Sequence, residues 1–209
     1  MKRGPVAGML SALCVIMASS CINVNVPIGG EGSSSAVVWA LEVPDADPWG
    51  VSSDYVIRVK DFGSVTALQR VEMTVELENG SLNRAGADVW SARPMELLPD
   101  ALAADLMAAG CWGAVLRQAT MLTDDFIVEG YIRGFGGEES MGVWSAVLDV
   151  DVTVLNGYDN TLVFQKNYDL RLDLSEPSYG ALASGMAELV AIFDEEVMGD
   201  VWSAMLPVR

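Results

Sequence analysis

Hydrophobic and polar side chains alternate along several segments of the chain, which is the pattern of strands with one buried face. The alternation is clearest over residues 71–78 and 141–155. Asn79-Gly80 after the first of these segments predicts a type I′ hairpin turn, and Asn156-Gly157 predicts a second turn. Further strands are predicted at residues 37–43, 54–62, 112–117, 125–135 and 161–174, and in the residues that lead to Trp90.

Two other segments carry apolar residues at the three- and four-residue spacing of an amphipathic helix. The first is Pro94 to Gly110, where Gly110 is placed as a stop and Pro99 favours a start near that residue. The second runs from Tyr179 to Met205, with its apolar stripe at Leu182, Met186, Leu189, Phe193, Val197 and Val201. Hairpin-linked strands with two helices predict a single α+β domain, a mainly antiparallel sheet with two helices packed on one face.

The tetrapeptide V-W-S-A occurs three times, around Trp90, Trp144 and Trp202. An internal repeat would carry similar flanking residues at each copy. Here the flanks differ, and the copies fall at the end of a predicted strand, inside another strand and in the last helix. The pattern therefore indicates three large side chains that fill different parts of the core, not a triplicated site.

The N-terminus has the features of a secretory signal peptide. Lys2 and Arg3 give a positive start, and the uncharged apolar run over residues 6–18 is shorter than the ~20 residues that cross a bilayer as a helix. Residues 18–21, A-S-S-C, resemble the bacterial lipobox, although Ala18 stands where that signal usually has Leu. The resemblance implies that the Cys21 thiol receives a diacylglyceryl group and becomes the first mature residue. The alternative is an ordinary signal peptide with an incidental cysteine.

These features divide the chain into three parts. Residues 1–20 are predicted as the lipoprotein signal peptide, residues 21–36 as a flexible tether rich in Gly and Ser, and residues 37–209 as the α+β domain. Loss of residues 1–20 removes two bases and no acid, so the net charge of −17 becomes −19. Such an acidic chain excludes nucleic acid as a partner and electrostatic docking on anionic lipid. Acyl chains on Cys21 are therefore expected to hold the protein at a membrane.

The chain contains no histidine, which removes the usual general base and most zinc sites. Asp149 and Asp151 share one face of a predicted strand, ~6–7 Å apart, but charged pairs on a solvent-exposed face usually serve solvation. Glu138 and Glu139 are predicted at a hairpin tip, and D-E-E at 194–196 on the solvent side of the last helix. We therefore expect no enzyme, no catalytic residue, no metal site and no cofactor.

Cysteine usage predicts no disulfide within the folded domain. Cys14 lies in the signal peptide and Cys21 would be acylated, so Cys111 is the one remaining thiol. Its neighbours, A-A-G before it and Trp112 after it, predict a small buried core residue and not a reactive one.

A series of landmarks follows the signal peptide in order. They are the lipobox ending at Cys21, V-W-A-L at 38–41, Y-V-I-R-V at 55–59, Trp90 followed by P-M-E-L-L at 94–98, Gly110 followed by Trp112 and Val115, Phe164, the alanine-rich helix 181–191 and Trp202. This arrangement, which covers most of residues 37–205, resembles the ABC-type transport auxiliary lipoproteins. That family includes the lipoprotein of the paraquat-inducible operon and lipoproteins encoded beside MCE-type lipid transporters.

The resemblance implies a non-catalytic adaptor of a lipid-moving ABC system, with an MCE-type protein and the ABC permease and ATPase as partners. Ile22 stands where Asp would retain an enterobacterial lipoprotein at the inner membrane, so outer-membrane anchoring is expected. Exposed sheet edges favour a homo-oligomer. Two alternatives stay open: an outer-membrane lipoprotein that activates a cell-wall synthase, and a module that binds one lipid under its two helices.

Overall fold

The computed structural model describes residues 24–26, 36–44, 46–118 and 120–205. These residues form ten strands, a short 3₁₀ helix and two α-helices. The strands are β1 (Val24–Val26), β2 (Ala36–Trp39), β3 (Val56–Val59), β4 (Gly63–Ser64), β5 (Glu72–Glu76), β6 (Leu82–Trp90), β7 (Ala114–Leu116), β8 (Phe126–Ser140), β9 (Val143–Asn156) and β10 (Leu162–Asp173). The 3₁₀ helix is Thr66–Leu68, and the α-helices are α1 (Pro94–Ala109) and α2 (Tyr179–Met205).

Strand β8 lies at the centre of the sheet. It pairs antiparallel with β9 along one edge, and along the other edge it pairs in parallel with β3, β4 and β5. β9 continues to β10, β3 continues to β7, and β5 continues through β6 and β2 to β1. The two longest ladders, β8–β9 and β9–β10, are antiparallel, and the predicted α+β class is confirmed. The parallel pairs join strands far apart in sequence, which a local pattern does not show.

Both helices cover one face of the sheet and bury the core. α2 packs on β8, β9 and β10, α1 packs on β3, β7 and β8, and the helices contact each other. The predicted alternation of β9 is confirmed, because Ala146, Leu148, Val150, Val152 and Val154 are fully buried. The predicted stripe of α2 is buried too: Leu182, Met186, Leu189, Phe193, Val197 and Val201. Side chains therefore fill the space between helices and sheet.

Helix α1 begins at Pro94, so the predicted start near Pro99 is wrong. The Arg93 backbone N–H donates to the Glu96 carboxylate at 3.2 Å, and the two side chains form an ion pair. Pro94 at the first helical position has no helical N–H to lose. Pro99 lies inside the helix, where it removes one backbone hydrogen bond, and its ring is buried. The capping box and this burial offset the lost bond.

The type I′ turn occurs at a different hairpin from the predicted one. Met141 and Gly142 both have positive φ, 50° and 79°, and they form a two-residue loop between the paired residues Ser140 and Val143. At the Asn79-Gly80 pair only Gly80 has positive φ, 77°, and its N–H donates to the carbonyl of Leu77 at 2.7 Å. That hairpin is therefore a type I turn followed by a left-handed glycine.

Glu138 and Glu139 lie inside strand β8 and not at the predicted hairpin tip. The glycines before them also lie in this strand, where β5 approaches β8 closely. A Cβ at Gly136 would meet the carbonyl oxygen of Thr74 at 2.7 Å. Glycine at this position allows two strands to pack closely and is not part of a loop.

The segment predicted as a tether contributes one strand to the sheet. β1 pairs antiparallel with β2 at its edge, so Val24–Val26 differs from the predicted flexible coil. The β-rich sequence V-N-V next to a free strand edge accounts for this pairing. The signal peptide prediction, residues 1–20, lies outside the described residues.

We expect Gly130→Ala to lower the free energy of unfolding by about 1–3 kcal/mol. A Cβ at Gly130 in β8 would lie 2.5 Å from the ring of Phe62, which is only 1% exposed and has no free space to enter. Gly86→Ala in β6 is the matched control, because its Cβ would meet nothing within 4 Å. Urea unfolding of both variants measures the difference. Equal stabilities would contradict the close packing of Phe62 on β8.

Candidate functional site

The lipid-anchor residue Cys21 lies outside the described residues, so its acylation stays a prediction. The prediction for Cys111 is confirmed, because its side chain is 1% exposed. Burial raises the pKa of the Cys111 thiol, which lowers its thiolate content and its reactivity.

Asp149 and Asp151 lie on the face of β9 away from the helices, and both carboxylates bind neighbouring side chains. The Asn167 amide donates to Asp149 at 2.7 Å and to Asp151 at 3.1 Å. Arg133 forms an ion pair with Asp151, and Glu138 forms one with Arg171. These contacts cross-link β8, β9 and β10 on the open face of the sheet. They are cross-strand pairs of the kind that stabilises sheets.

The prediction that D-E-E at 194–196 faces solvent is wrong for its first residue. Asp194 is fully buried, whereas Glu195 and Glu196 are exposed. Asp194 follows Val190 by four residues and precedes Val197 by three, so it lies on the apolar stripe of α2. This spacing in the sequence could have predicted that Asp194 is buried. We interpreted the three consecutive acidic residues as a solvent-exposed group instead.

Asp194 faces a second buried carboxyl group across the contact between the helices. Asp105 of α1 is 5% exposed and lies close enough to Asp194 to act on its carboxyl group. Desolvation in the core is the main reason why the pKa of Asp194 is raised well above its ordinary value, and the neighbouring Asp105 carboxyl raises it further. Burial and a second acid both disfavour the charged form of a carboxyl group.

A small pocket and three tryptophans lie at the same end of the helical layer. The pocket has a volume of about 270 Å³. Trp202 of α2 makes edge-on contacts with Trp49 and Trp112, with ring centroids 6.2 and 5.2 Å apart. The pocket is lined by Pro44, Ala46, Asp47, Pro48, Trp49, Asp105, Ala191, Glu195 and Met198. It therefore reaches Asp105, whereas Asp194 does not line it.

The loop that contains Trp49 is tied to the end of α1. The Trp49 backbone N–H donates to Ala109 at 3.1 Å, and the Ser53 N–H donates to Cys111 at 2.8 Å. The Ser53 hydroxyl donates to the same Cys111 carbonyl at 3.0 Å. We call residues 46–53 the strap. The indole N–H of Trp112, the next residue after Cys111, is buried without a hydrogen-bond partner among the described residues, which costs stability there.

The helical layer is uniformly acidic. α1 and α2 together contain eight Asp and Glu and no Lys or Arg. Lys166 of β10 lies 2.6 Å from Asp200 and 3.5 Å from Glu196 of α2, and Asp200 also accepts the hydroxyl proton of the buried Tyr168 at 2.8 Å. One base on the sheet, Lys166, therefore pairs with two of the acids on the edge of α2 that meets β10.

Three adjoining depressions, which we call the groove, lie along α2 between that helix and residues 39–44 and 46–49. Ser184 and Glu188 join its first two sections, and Pro44 and Ala191 join the second to the pocket beside Asp105. Small side chains of α2 form its floor, and its charged lining is acidic: Glu42, Asp47, Asp105, Asp173, Glu176, Glu188 and Glu195. A groove of this shape and sign fits a basic or neutral protein segment.

Within the described ranges, no group of three His, Cys, Asp or Glu side chains is placed to hold a metal ion. Over the same residues, neither α-helix is long and apolar enough to cross a membrane.

Comparisons with known proteins agree with the fold and provide a family. The family model described as the ABC-type transport auxiliary lipoprotein component matches residues 41–197, more than half of the chain. A search among curated proteins found no significant match. The structure is similar to that of protein XCC0632 from Xanthomonas campestris, with a TM-score of 0.72 and 16% identity over 80% of this chain and 95% of the other. It is also similar to the hypothetical protein CT253 from Chlamydia trachomatis, with a TM-score of 0.51 and 12% identity over 71% and 96%.

Proposed function

Because the chain belongs to the ABC-type transport auxiliary lipoprotein component family, we propose that it is a non-catalytic adaptor of an MCE-linked lipid transport system in the cell envelope. The family match over residues 41–197 is the observation that carries this proposal. The partners are an MCE-type protein and the ABC permease and ATPase. The transported lipid passes through those partners, and this chain holds the assembly at a membrane.

The anchor in this proposal is Cys21. Residues 18–21 would supply the acylation signal, and Ile22 in place of Asp supports anchoring at the periplasmic face of the outer membrane. Two or more acyl chains give a stable anchor, since each buried CH₂ contributes ~0.8 kcal/mol. The acidic domain gains nothing from anionic lipid, which supports attachment through acyl chains alone.

The packing of the domain supports an adaptor over a lipid carrier. The largest side chains between α2 and the sheet, Phe193 and Tyr168, are at most 2% exposed and pack edge-on with ring centroids 5.3 Å apart. A lipid under the helices would have to displace such residues. The groove along α2, in contrast, is open to solvent, and we assign the partner contact to it.

Site-specific photo-crosslinking in intact envelopes tests this proposal. A crosslinker replaces Ala187 on the floor of the groove or Gln165 on β10 in the full-length acylated protein, and captured partners are identified by mass spectrometry. We expect Ala187 to capture an MCE-type protein, permease or ATPase. Capture should weaken when Cys21→Ala removes the anchor, because the tethered chain is otherwise concentrated at the membrane.

Different outcomes separate the parts of the proposal. Capture of a transporter component from Gln165 and not from Ala187 would keep the adaptor function and move its contact to the β10 edge. A crosslink to a second copy of the chain from Gln165 would support the homo-oligomer, since β10 pairs only with β9 among the described strands. Cell-wall synthases from either position, without any transporter component, would replace the adaptor with the activator.

A further inference from the structure

We propose that strand β10 pairs antiparallel with β10 of a second copy of the chain, about a two-fold axis at Leu170, so that two copies share one continuous sheet. A two-fold axis is the commonest symmetry of soluble oligomers, and it brings the same residues of both copies together. The interface is a property of the domain itself and does not rest on the transport partners proposed above.

β10 is the longest free edge among the described strands. It runs from Leu162 to Asp173 and pairs only with β9. The other strands with a single partner, β1, β4 and β7, have two or three residues each. A long edge presents a row of backbone groups to which another strand can bind.

The backbone of β10 determines which residues can accept a second strand. The Leu174 N–H, just after the strand, donates to the carbonyl of Trp144 in β9 at 2.8 Å. Successive residues of an antiparallel strand direct their backbone groups alternately to the two sides, so every second residue from Leu174 backwards bonds to β9. The residues between them direct their N–H and C=O groups away from β9 and are Asn167, Asp169, Arg171 and Asp173.

The charges along this edge select one register. Opposed side chains of an antiparallel pair lie on the same face, so a two-fold pairing is centred on a residue. A centre at Leu170 places Asp169 of each copy opposite Arg171 of the other, and both have outward backbone groups. A centre at Asp169 or at Arg171 would oppose two like charges. A centre at Leu172 would oppose Arg171 and Asp173, but β10 ends there and few residues would pair.

Asp169 gains most from this register. Within one chain it lies directly opposite Asp149 of β9, and like charges in that position are unfavourable. Asp149 accepts the Asn167 amide at 2.7 Å, whereas no side chain among the described residues binds the exposed Asp169 carboxylate. Arg171 forms an ion pair with Glu138 of its own chain, but its side chain is more than half exposed and such pairs are weak enough to exchange.

The helix side of the same edge adds an apolar contact. Leu170 and Leu172 border the core and are only partly buried. Ile192 of α2 is 39% exposed, and it lies on the side of α2 that meets β10, because Glu196 one turn later pairs with Lys166. With the axis at Leu170, the two copies of that side chain meet, and part of this apolar surface is removed from water.

Cysteine crosslinking of the full-length acylated protein in envelopes tests the register. The two residues at the centre form a non-hydrogen-bonded pair with Cα atoms about 4.5 Å apart, which a disulfide can span. We expect Leu170→Cys to give a disulfide-linked dimer under mild oxidation. Leu172→Cys is the matched control and should give little dimer, because it lies opposite Tyr168. Equal dimer at both positions, or more from Leu172→Cys, would overturn the register.

Charge reversal tests the interface. In the Leu170→Cys chain, Asp169→Arg opposes Arg to Arg and Arg171→Asp opposes Asp to Asp, so each alone should reduce the dimer about tenfold or more. The two reversed chains, carrying tags of different size and produced together, should form the mixed dimer, because every acid then meets a base. Absence of the mixed dimer, or undiminished dimer from the single variants, would contradict the proposed contact.

Asp169→Asn separates loss of pairing from loss of folding. It removes the like-charge contact with Asp149 inside the chain, so the variant should resist urea at least as well as the parent. Its crosslinked dimer should nevertheless decrease, since the attraction to Arg171 of the second copy is lost. A dimer as abundant as that of the Leu170→Cys parent would disprove the role of Asp169 in the interface.

Discussion

Replacing Cys21 with serine is expected to abolish the attachment of fatty acid to this protein and to leave residues 1–20 in place. Lipidation forms a thioether on a cysteine sulfur, and a serine hydroxyl cannot replace it in the A-S-S-C signal at residues 18–21. The effect should be all or none. It is measured by incorporation of an alkyne fatty acid into the full-length protein and by the mass of its N-terminal peptide.

The other two cysteines provide matched controls. Cys14→Ser and Cys111→Ser should keep fatty acid incorporation and the mature N-terminus at Cys21. If acyl chains and not charges form the anchor, as we propose, the wild-type protein should also stay with membranes through a high-salt wash. Cleavage at another position, or an unmodified Cys21 in the mature protein, would contradict the lipobox. The N-terminal segment would then be interpreted as an ordinary signal peptide.

Trp90→Ala is expected to lower the free energy of unfolding by about 3–5 kcal/mol. Trp90 is 2% exposed and packs edge-on against Phe135 with ring centroids 5.3 Å apart, where β6 ends beneath the helices. Its loss leaves a cavity that the surrounding strands cannot close. Since a domain of this kind has about 5–15 kcal/mol in total, the variant should sit near the threshold of folding. Urea unfolding at neutral pH measures the loss.

The second V-W-S-A copy supplies the control for this prediction. Trp144 is only half-buried and contacts Tyr179 edge-on at 5.4 Å, so Trp144→Ala should lose about 1–2 kcal/mol. The same substitution in two copies of the tetrapeptide should therefore lower the free energy of unfolding by different amounts, because the surroundings of the two tryptophans differ. Equal losses at both positions would contradict the assignment of Trp90 to the core.

The predictions from the sequence succeeded where the pattern was local and long. The alternation over β9 and the stripe over α2 span many residues, so their buried faces followed from periodicity alone. The tryptophans of the three V-W-S-A copies lie at the end of one strand, near the start of another and in a helix, so the three backbone conformations differ as predicted. The predicted turn types and the start of α1 were less accurate, because each depends on one or two backbone dihedrals or on a cap such as Arg93–Glu96.

The parallel pairing of β8 with β3, β4 and β5 was not predicted. These strands come from distant parts of the chain, and their register is set by contacts such as the approach of Thr74 to Gly136. Pairing between distant strands has no signature in a local window of sequence. The hairpins, by contrast, join strands that are consecutive in the sequence, so their pairing could be predicted from the sequence.

The sequence by itself determined the α+β class, the alternating faces of the long strands, the buried thiol of Cys111 and the acidic character of the domain, because periodicity and composition depend on residues near one another in the chain. Only the tertiary structure decided that Asp194 is buried while Glu195 and Glu196 are not, that Asp105 of another helix lies near it, and that a pocket reaches Asp105. Those facts depend on how α1 and α2 pack, and the desolvation of a carboxyl group is a property of that contact and not of the residues beside it.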